Sequence, residues 1–111
     1  MTGIIYLASP YSDPDPAIIA VRFHAVCQAA ARLMSEGHLI FSPIAHTHPI
    51  AMAGTLPTGW DFWERYDNAM LNVCSELWIL PLDGWENSRG VAAEIEYMHQ
   101  LGKPVKILNL E

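Results

Sequence analysis

Three observations in the 111-residue sequence predict an α/β domain built on an open parallel sheet. Short apolar runs are bounded by turn residues, longer stretches carry apolar residues at helical spacing, and the two kinds alternate along the chain. The runs are apolar throughout rather than at every second residue, the mark of strands covered on both faces.

The elements follow in order. Ile4-Ile5-Tyr6-Leu7-Ala8 is the first strand. Asp13-Pro14-Asp15-Pro16 comes next, its aspartates placed to cap a helix and Pro16 suited to a first turn. Ile19, Phe23, Val26, Cys27, Ala30, Leu33 and Met34 then recur at helical spacing until Gly37 ends the helix. Leu39-Ile40-Phe41 is a second strand. Residues 42–59 hold three prolines, two histidines and Gly54, and read as one long loop, which in a small domain usually signals function or mobility. A helix is predicted over about 60–74, a strand over 77–80, and a turn-rich loop over 81–87 that ends at Ser88, a good helix N-cap. Val91, Ile95, Met98 and Leu101 stripe the last helix, Gly102 ends it, and Val105-Lys106-Ile107-Leu108 is the last strand. With right-handed crossovers this order makes a three-layer flavodoxin-like or Rossmann-like sheet of four to five strands, with helices on both faces. Ligands in such sheets sit beyond the carboxyl ends of the strands. Those ends carry Ser9-Pro10-Tyr11-Ser12, Ser42-Pro43-Ile44-Ala45-His46 and the loop into Ser88, which makes Ser9 and His46 candidate ligand contacts.

Composition narrows the function. Hydrophobic residues make up 51% and charged ones 16%, which excludes disorder, and residues 1–111 read as one domain. A net charge of −6 argues against binding a nucleic-acid polymer or a membrane surface, but leaves room for one small anionic substrate. Cys27 and Cys74 read as free thiols of a reducing cytosol. The start has no basic region before its apolar run, and no stretch is expected to approach the ~20 apolar residues of a membrane span. A cytoplasmic protein is expected.

Two carboxylates stand where charge is costly. On a wheel of the last helix Glu94 flanks the Val91, Ile95 and Met98 face, near the sheet's ligand-binding edge. It is there either as half of a buried ion pair or as a chemical participant. The middle helix has two apolar stripes: Phe62, Tyr66, Ala69 and Val73 on one side, and Trp60, Trp63, Leu71 and Cys74 on another, with Asp67 in the middle of the second. One stripe is expected to pack on the sheet; the other, through Trp60, Trp63 and Leu71, is expected to meet a second subunit in a homodimer. An aspartate among tryptophans has its charged form disfavoured and becomes a proton donor near neutral pH, unless it reaches Arg65 or a backbone donor. One ionised and one protonated carboxyl group suit cleavage of a glycosidic bond.

At this point the residues resemble a known superfamily. Tyr6-Leu7-Ala8-Ser9-Pro10-Tyr11 after the first strand, Asp67 before the third, and Ser88-Arg89-Gly90-Val91-Ala92-Ala93-Glu94 together resemble the nucleoside 2-deoxyribosyltransferase-like proteins. The S-x-G-V-x-x-E spacing is most similar to the branch that hydrolyses 2'-deoxynucleoside 5'-monophosphates. The turn around Trp85 and the 42–49 loop resemble a short branch of unassigned function. The resemblance implies Glu94 as nucleophile on the anomeric carbon, Tyr6 orienting it, and Asp67 protonating the departing base. It also implies Ser88 with the amides of Arg89 and Gly90 at the substrate's 5' end, and a dimer whose subunits complete each other's pockets. Serine at position 88, where the transferases carry an acid, points toward a phosphate. Arg22 and Arg89 offer cations, while Pro10-Tyr11-Ser12 stands where the monophosphate hydrolases have a glycine- and arginine-rich turn.

Trp85, on an expected exposed turn, is the best candidate to stack on a base. His46-x-His48 has no suitably spaced third ligand, so no metal and no cofactor are expected, and His46 reads as pocket rim. The expected activity is N-glycosidic cleavage or deoxyribosyl transfer on a (deoxy)nucleoside or its 5'-monophosphate. The alternative is a non-catalytic nucleotide-sensing module binding at the same strand ends.

Overall fold

The computed structural model describes residues 3–109. Met1 and Thr2, part of the start read above for targeting, and Leu110 and Glu111 lie outside them. In chain order the elements are β1 (Ile5–Ala8), α1 (Pro16–Ser35), β2 (Ile40–Phe41), α2 (Pro43–Gly54), α3 (Trp60–Val73), β3 (Glu76–Ile79), a 3₁₀ turn (Trp85–Asn87), α4 (Arg89–Gln100) and β4 (Val105–Ile107). The four strands form one parallel sheet in the order β2-β1-β3-β4, with Ile5 opposite both Ile40 and Glu76, and Leu77 opposite Val105.

Successive residues of a strand face opposite sides, so each run divides between two cores. Ile5, Leu7, Ile40, Trp78 and Leu80 pack with Val26, Ala30 and Leu33 of α1. Tyr6, Ala8, Leu77 and Ile79 pack with Leu71 of α3 and with Val91 and Met98 of α4. The result is the expected three layers.

The helix ends follow the expected chemistry. The Asp15 carboxylate accepts from the Ala17 amide at 2.9 Å ahead of Pro16, and the Ser88 hydroxyl accepts from the Val91 amide at 3.2 Å. By length and mean hydropathy α1 is apolar enough to cross a membrane, against the expectation that no stretch approaches a span. Its apolar residues instead divide between the core and an outer face where Val21 and Met34 are exposed.

Residues 42–59 are not one loop. Most of them form α2, whose N-terminus is capped by the Ser42 hydroxyl accepting from the Ala45 amide at 3.1 Å. Pro43 sits in the first turn, where a missing N–H costs nothing. Pro49 does interrupt the helical bonding, but burial of Ile44, Thr47 and Ala51 on one face outweighs that loss. Thr55 ends the helix in the left-handed region at φ 56°.

The stripe of α3 expected to meet a second subunit is turned inward instead. Leu71 is fully buried, and Trp60 and Trp63 line a cavity, so the Trp60, Trp63, Leu71 stripe faces inward. The opposite stripe is the open one, with Phe62 48% and Val73 66% exposed. Both stripes are apolar, and it is Leu71 and Cys74, fully buried against Tyr6, Ala8, Leu77 and Ile79, that turn in.

Candidate active site

A cavity of about 500 Å³ opens beyond the carboxyl ends of β1 and β3, where Ser9 follows β1 and the loop into Ser88 follows β3. Two carboxyl groups line it. Glu94 belongs to the buried face of α4 together with Val91 and Met98, and Asp67 shares the buried face of α3 with Leu71. Glu94 is 5% exposed and Asp67 7%. Tyr6, fully buried on β1, donates its hydroxyl to Glu94 Oε2. Two helices and a strand thus bring together three side chains separated by up to 88 positions.

Burial pushes both carboxyl groups up, Glu94 to about 8 and Asp67 to about 7, while the hydrogen bond that Tyr6 donates to Glu94 works against the rise there. The Asp67 charge raises Glu94 further. The expected split, an ionised Glu94 beside a protonated Asp67, is therefore not what burial alone produces: Glu94 is the more deeply buried of the two. The two carboxyl groups feel each other's charge, so their titration belongs to the pair. Burial also raises the Tyr6 phenol, so it stays a donor. Arg65 takes no part: Asp67 Oδ1 has no hydrogen-bond partner, nor does the buried Ser9 hydroxyl, and both residues line the cavity. A buried oxygen left unpaired costs about 1–3 kcal/mol, which a polar ligand group would recover.

The rim is built from loops. Arg22 donates to the carbonyls of Ser12 at 2.9 Å, Tyr11 at 3.3 Å and Asp83 at 3.2 Å, fastening the loop after β1 to the loop after β3. Gly84, at φ 88°, leaves room for that guanidinium; a Cβ there would lie 2.9 Å from Nη2. Ser88 caps α4, and Arg89 pairs with Asp61 of α3 at 2.7 Å across the mouth. Ser88, Arg89, Gly90 and Arg22 all line the cavity as expected.

Two expected contacts do not. Trp85 lies in the 3₁₀ turn and packs, partly buried, against the α3/α4 core, because folding its ring inward removes apolar surface from water. His46 is exposed on α2 and faces the rings of Phe41 and Tyr66, at 6.3 and 6.1 Å. Helical geometry separates His46 from His48 by about 200°, so His48 points the other way, to the Tyr11 hydroxyl at 2.5 Å and the Phe23 ring. Among the described residues no cluster of three or more His, Cys, Asp or Glu is placed to hold a metal ion.

The cavity wall includes residues that sequence reasoning missed: Trp60 and Trp63 of α3, and Pro43, Ile44 and Thr47 of α2. The placement of Asp67 in the same stripe as the two tryptophans carried the signal for α3. For α2 there was none once residues 42–59 were read as a loop.

A family model described as a domain of unknown function (DUF1937) matches residues 3–110. No curated protein matches the chain.

Proposed function

The chain belongs to the DUF1937 family, a domain of unknown function, and we propose that it cleaves or transfers the N-glycosidic bond of a (deoxy)nucleoside or its 5'-monophosphate. The observation that carries the reading is the buried Tyr6, Glu94 and Asp67 group on a nucleoside-sized cavity, with an unpartnered oxygen on Asp67. Glu94 attacks the anomeric carbon as the carbon–nitrogen bond breaks, forming a glycosyl ester, and Asp67 gives its proton to the departing base. Water, or a second base, then gives its proton to the Asp67 carboxylate as it attacks the anomeric carbon, breaking the ester and releasing the Glu94 carboxylate with net retention.

Burial alone favours the proton on Glu94. The Tyr6 hydroxyl donated to Glu94 and the positive charge developing on the sugar both favour its ionised form, which leaves the proton on Asp67 where the base needs it. Ser88 and the amides of Arg89 and Gly90 receive the 5' end at the N-terminus of α4. In this reading the protein acts in the cytoplasm as a homodimer, with a small molecule rather than a nucleic-acid polymer or membrane as its partner. The dimer contact moves to the Phe62, Tyr66 and Val73 stripe.

The test is base release, followed by chromatography, from a panel of deoxynucleosides, their monophosphates and a nitrophenyl deoxyriboside. Glu94→Gln is expected to slow every substrate, since attack precedes each departure. Asp67→Asn is expected to slow natural bases by about 10²–10⁴-fold and to spare the nitrophenyl leaving group, which needs no proton. Equal losses for both leaving groups in Asp67→Asn would remove the acid role. An absence of release from the whole panel would remove the reading.

A further inference from the structure

We propose that the first turn of α3 is the ring-binding subsite of the cavity, with Trp60 and Trp63 forming an aromatic wall for a planar nitrogen heterocycle whose polar edge meets Asp67. The inference rests on the glycosidic reading for the identity of the ring as a leaving base. The subsite itself rests on geometry. Trp60, Trp63 and Asp67 fall within about 60° on the helix, so the three share one face and Asp67 lies one turn, about 6 Å, beyond Trp63. All three line the cavity.

Trp63 is held in place, and Trp60 stands against the start of α4. Trp63 donates its N–H to the Pro57 carbonyl at 2.8 Å, which satisfies its one polar group and leaves the ring for stacking. Phe62 and Tyr66 stand edge-on to it, at interplanar angles of 79° and 81°. Trp60 lies over Gly90 at the start of α4, where a Cβ would come within 3.4 Å of the indole. A ring already fixed loses little entropy when a ligand stacks on it.

The polar end selects the ligand class. Asp67 Oδ1 is buried and unpartnered one turn along the same face. An aliphatic ligand would cover the indoles and leave that oxygen unpaired. A heterocycle places its face on the indole and a ring nitrogen or exocyclic amine at the carboxyl group, satisfying both surfaces. Trp85, the ring expected from sequence to stack on the base, packs partly buried against the core and does not line the cavity.

The experiment is isothermal titration of free adenine and of free thymine into the full chain, with 2-deoxyribose as the sugar-only control. Wild type and Glu94→Gln are expected to bind at least one of the two bases. Base–aromatic stacking is worth about 1–3 kcal/mol, so Trp63→Leu is expected to weaken binding by about fivefold or more. Trp63→Phe keeps a ring and is expected to restore most of it; Trp85→Phe is expected to change nothing. Trp60→Leu is a second loss variant, and each variant is first checked for an unchanged melting temperature. Failure of wild type to bind either base, or equal binding by wild type, Trp63→Leu and Trp60→Leu, overturns the subsite. Base binding without release from any substrate would leave the subsite standing and remove the glycosidase reading. Base release with KM unchanged in both tryptophan variants would do the reverse.

Discussion

Glu94 shows what a single buried carboxyl group costs. Burial lifts it from an ordinary 4.5 to about 8, and Asp67 moves in the same direction to about 7. The folded chain therefore holds protons over a range where the unfolded chain has lost them. Stability from these groups is greatest below about pH 4.5 and is lost as pH rises through about 8. Thermal melts of wild type are expected to fall by several degrees between pH 5 and pH 8.5. Glu94→Gln keeps the shape and the contact with Tyr6 without the charge, so it is expected to flatten that slope and to melt above wild type at pH 8.5. Parallel slopes for the two proteins would mean that Glu94 ionises in the fold as freely as in the unfolded chain. The same burial that costs stability at alkaline pH raises both carboxyl groups into the range where the proposed proton donation works, so the stability profile and the proposed chemistry have one cause.

Among the elements α2 is the decisive one. Its N-terminal half, through Pro43, Ile44 and Thr47, forms one wall of the cavity, and its C-terminal end leads into residues 55–59, which join it to the tryptophans of α3. The Ser12 hydroxyl donates to the Thr58 carbonyl at 2.6 Å, tying that segment back to the loop after β1. Ser42→Ala removes the cap on α2 and is expected to cost about 1 kcal/mol, a fall of roughly 4 °C in Tm. Because the cap holds a wall rather than a reacting group, KM for a nucleoside is expected to rise while kcat stays near wild type. A loss confined to kcat would place the effect of Ser42 on the carboxyl pair instead.

On the scale of the whole molecule, helices cover both faces of the sheet. The α3/α4 side carries the catalytic candidates on its inner surface and the exposed Phe62, Tyr66 and Val73 stripe on its outer one. A stripe of that kind is removed from water when a second copy packs on it. Light scattering at micromolar concentration is expected to give a dimer for wild type and a monomer for Val73→Lys combined with Tyr66→Lys. A monomeric wild type would remove the dimer. The stripe lies on the side of α3 away from Asp67, so the monomeric variant is also expected to keep the carboxyl pair's pH dependence.

Local chemistry was legible in the sequence. The unbroken run Tyr6-Leu7-Ala8 belongs to a strand buried on both faces wherever it is met, the Asp15 and Ser88 caps act within three residues of themselves, and the Val91, Glu94, Met98 spacing put a carboxylate on a buried helix face. Each of these depends on neighbours along the chain. The wheel of α3 likewise put Asp67 among tryptophans, but it did not say which of two apolar stripes would turn inward. That depended on the area Leu71 and Cys74 bury against β1 and β3, a quantity that exists only once the sheet has formed. The same holds for α2, where two prolines and two histidines speak locally for a loop while burial of Ile44, Thr47 and Ala51 against the rest of the chain makes a helix. Trp85 and His46 were misplaced for the same reason, since side-chain direction in a short turn or helix is decided by what lies across from it. Meeting of Tyr6, Asp67 and Glu94 is likewise tertiary: the sequence marks each as unusual in its own segment, and only the packing of α3 and α4 on one face of the sheet brings them to one buried, electrostatically coupled group.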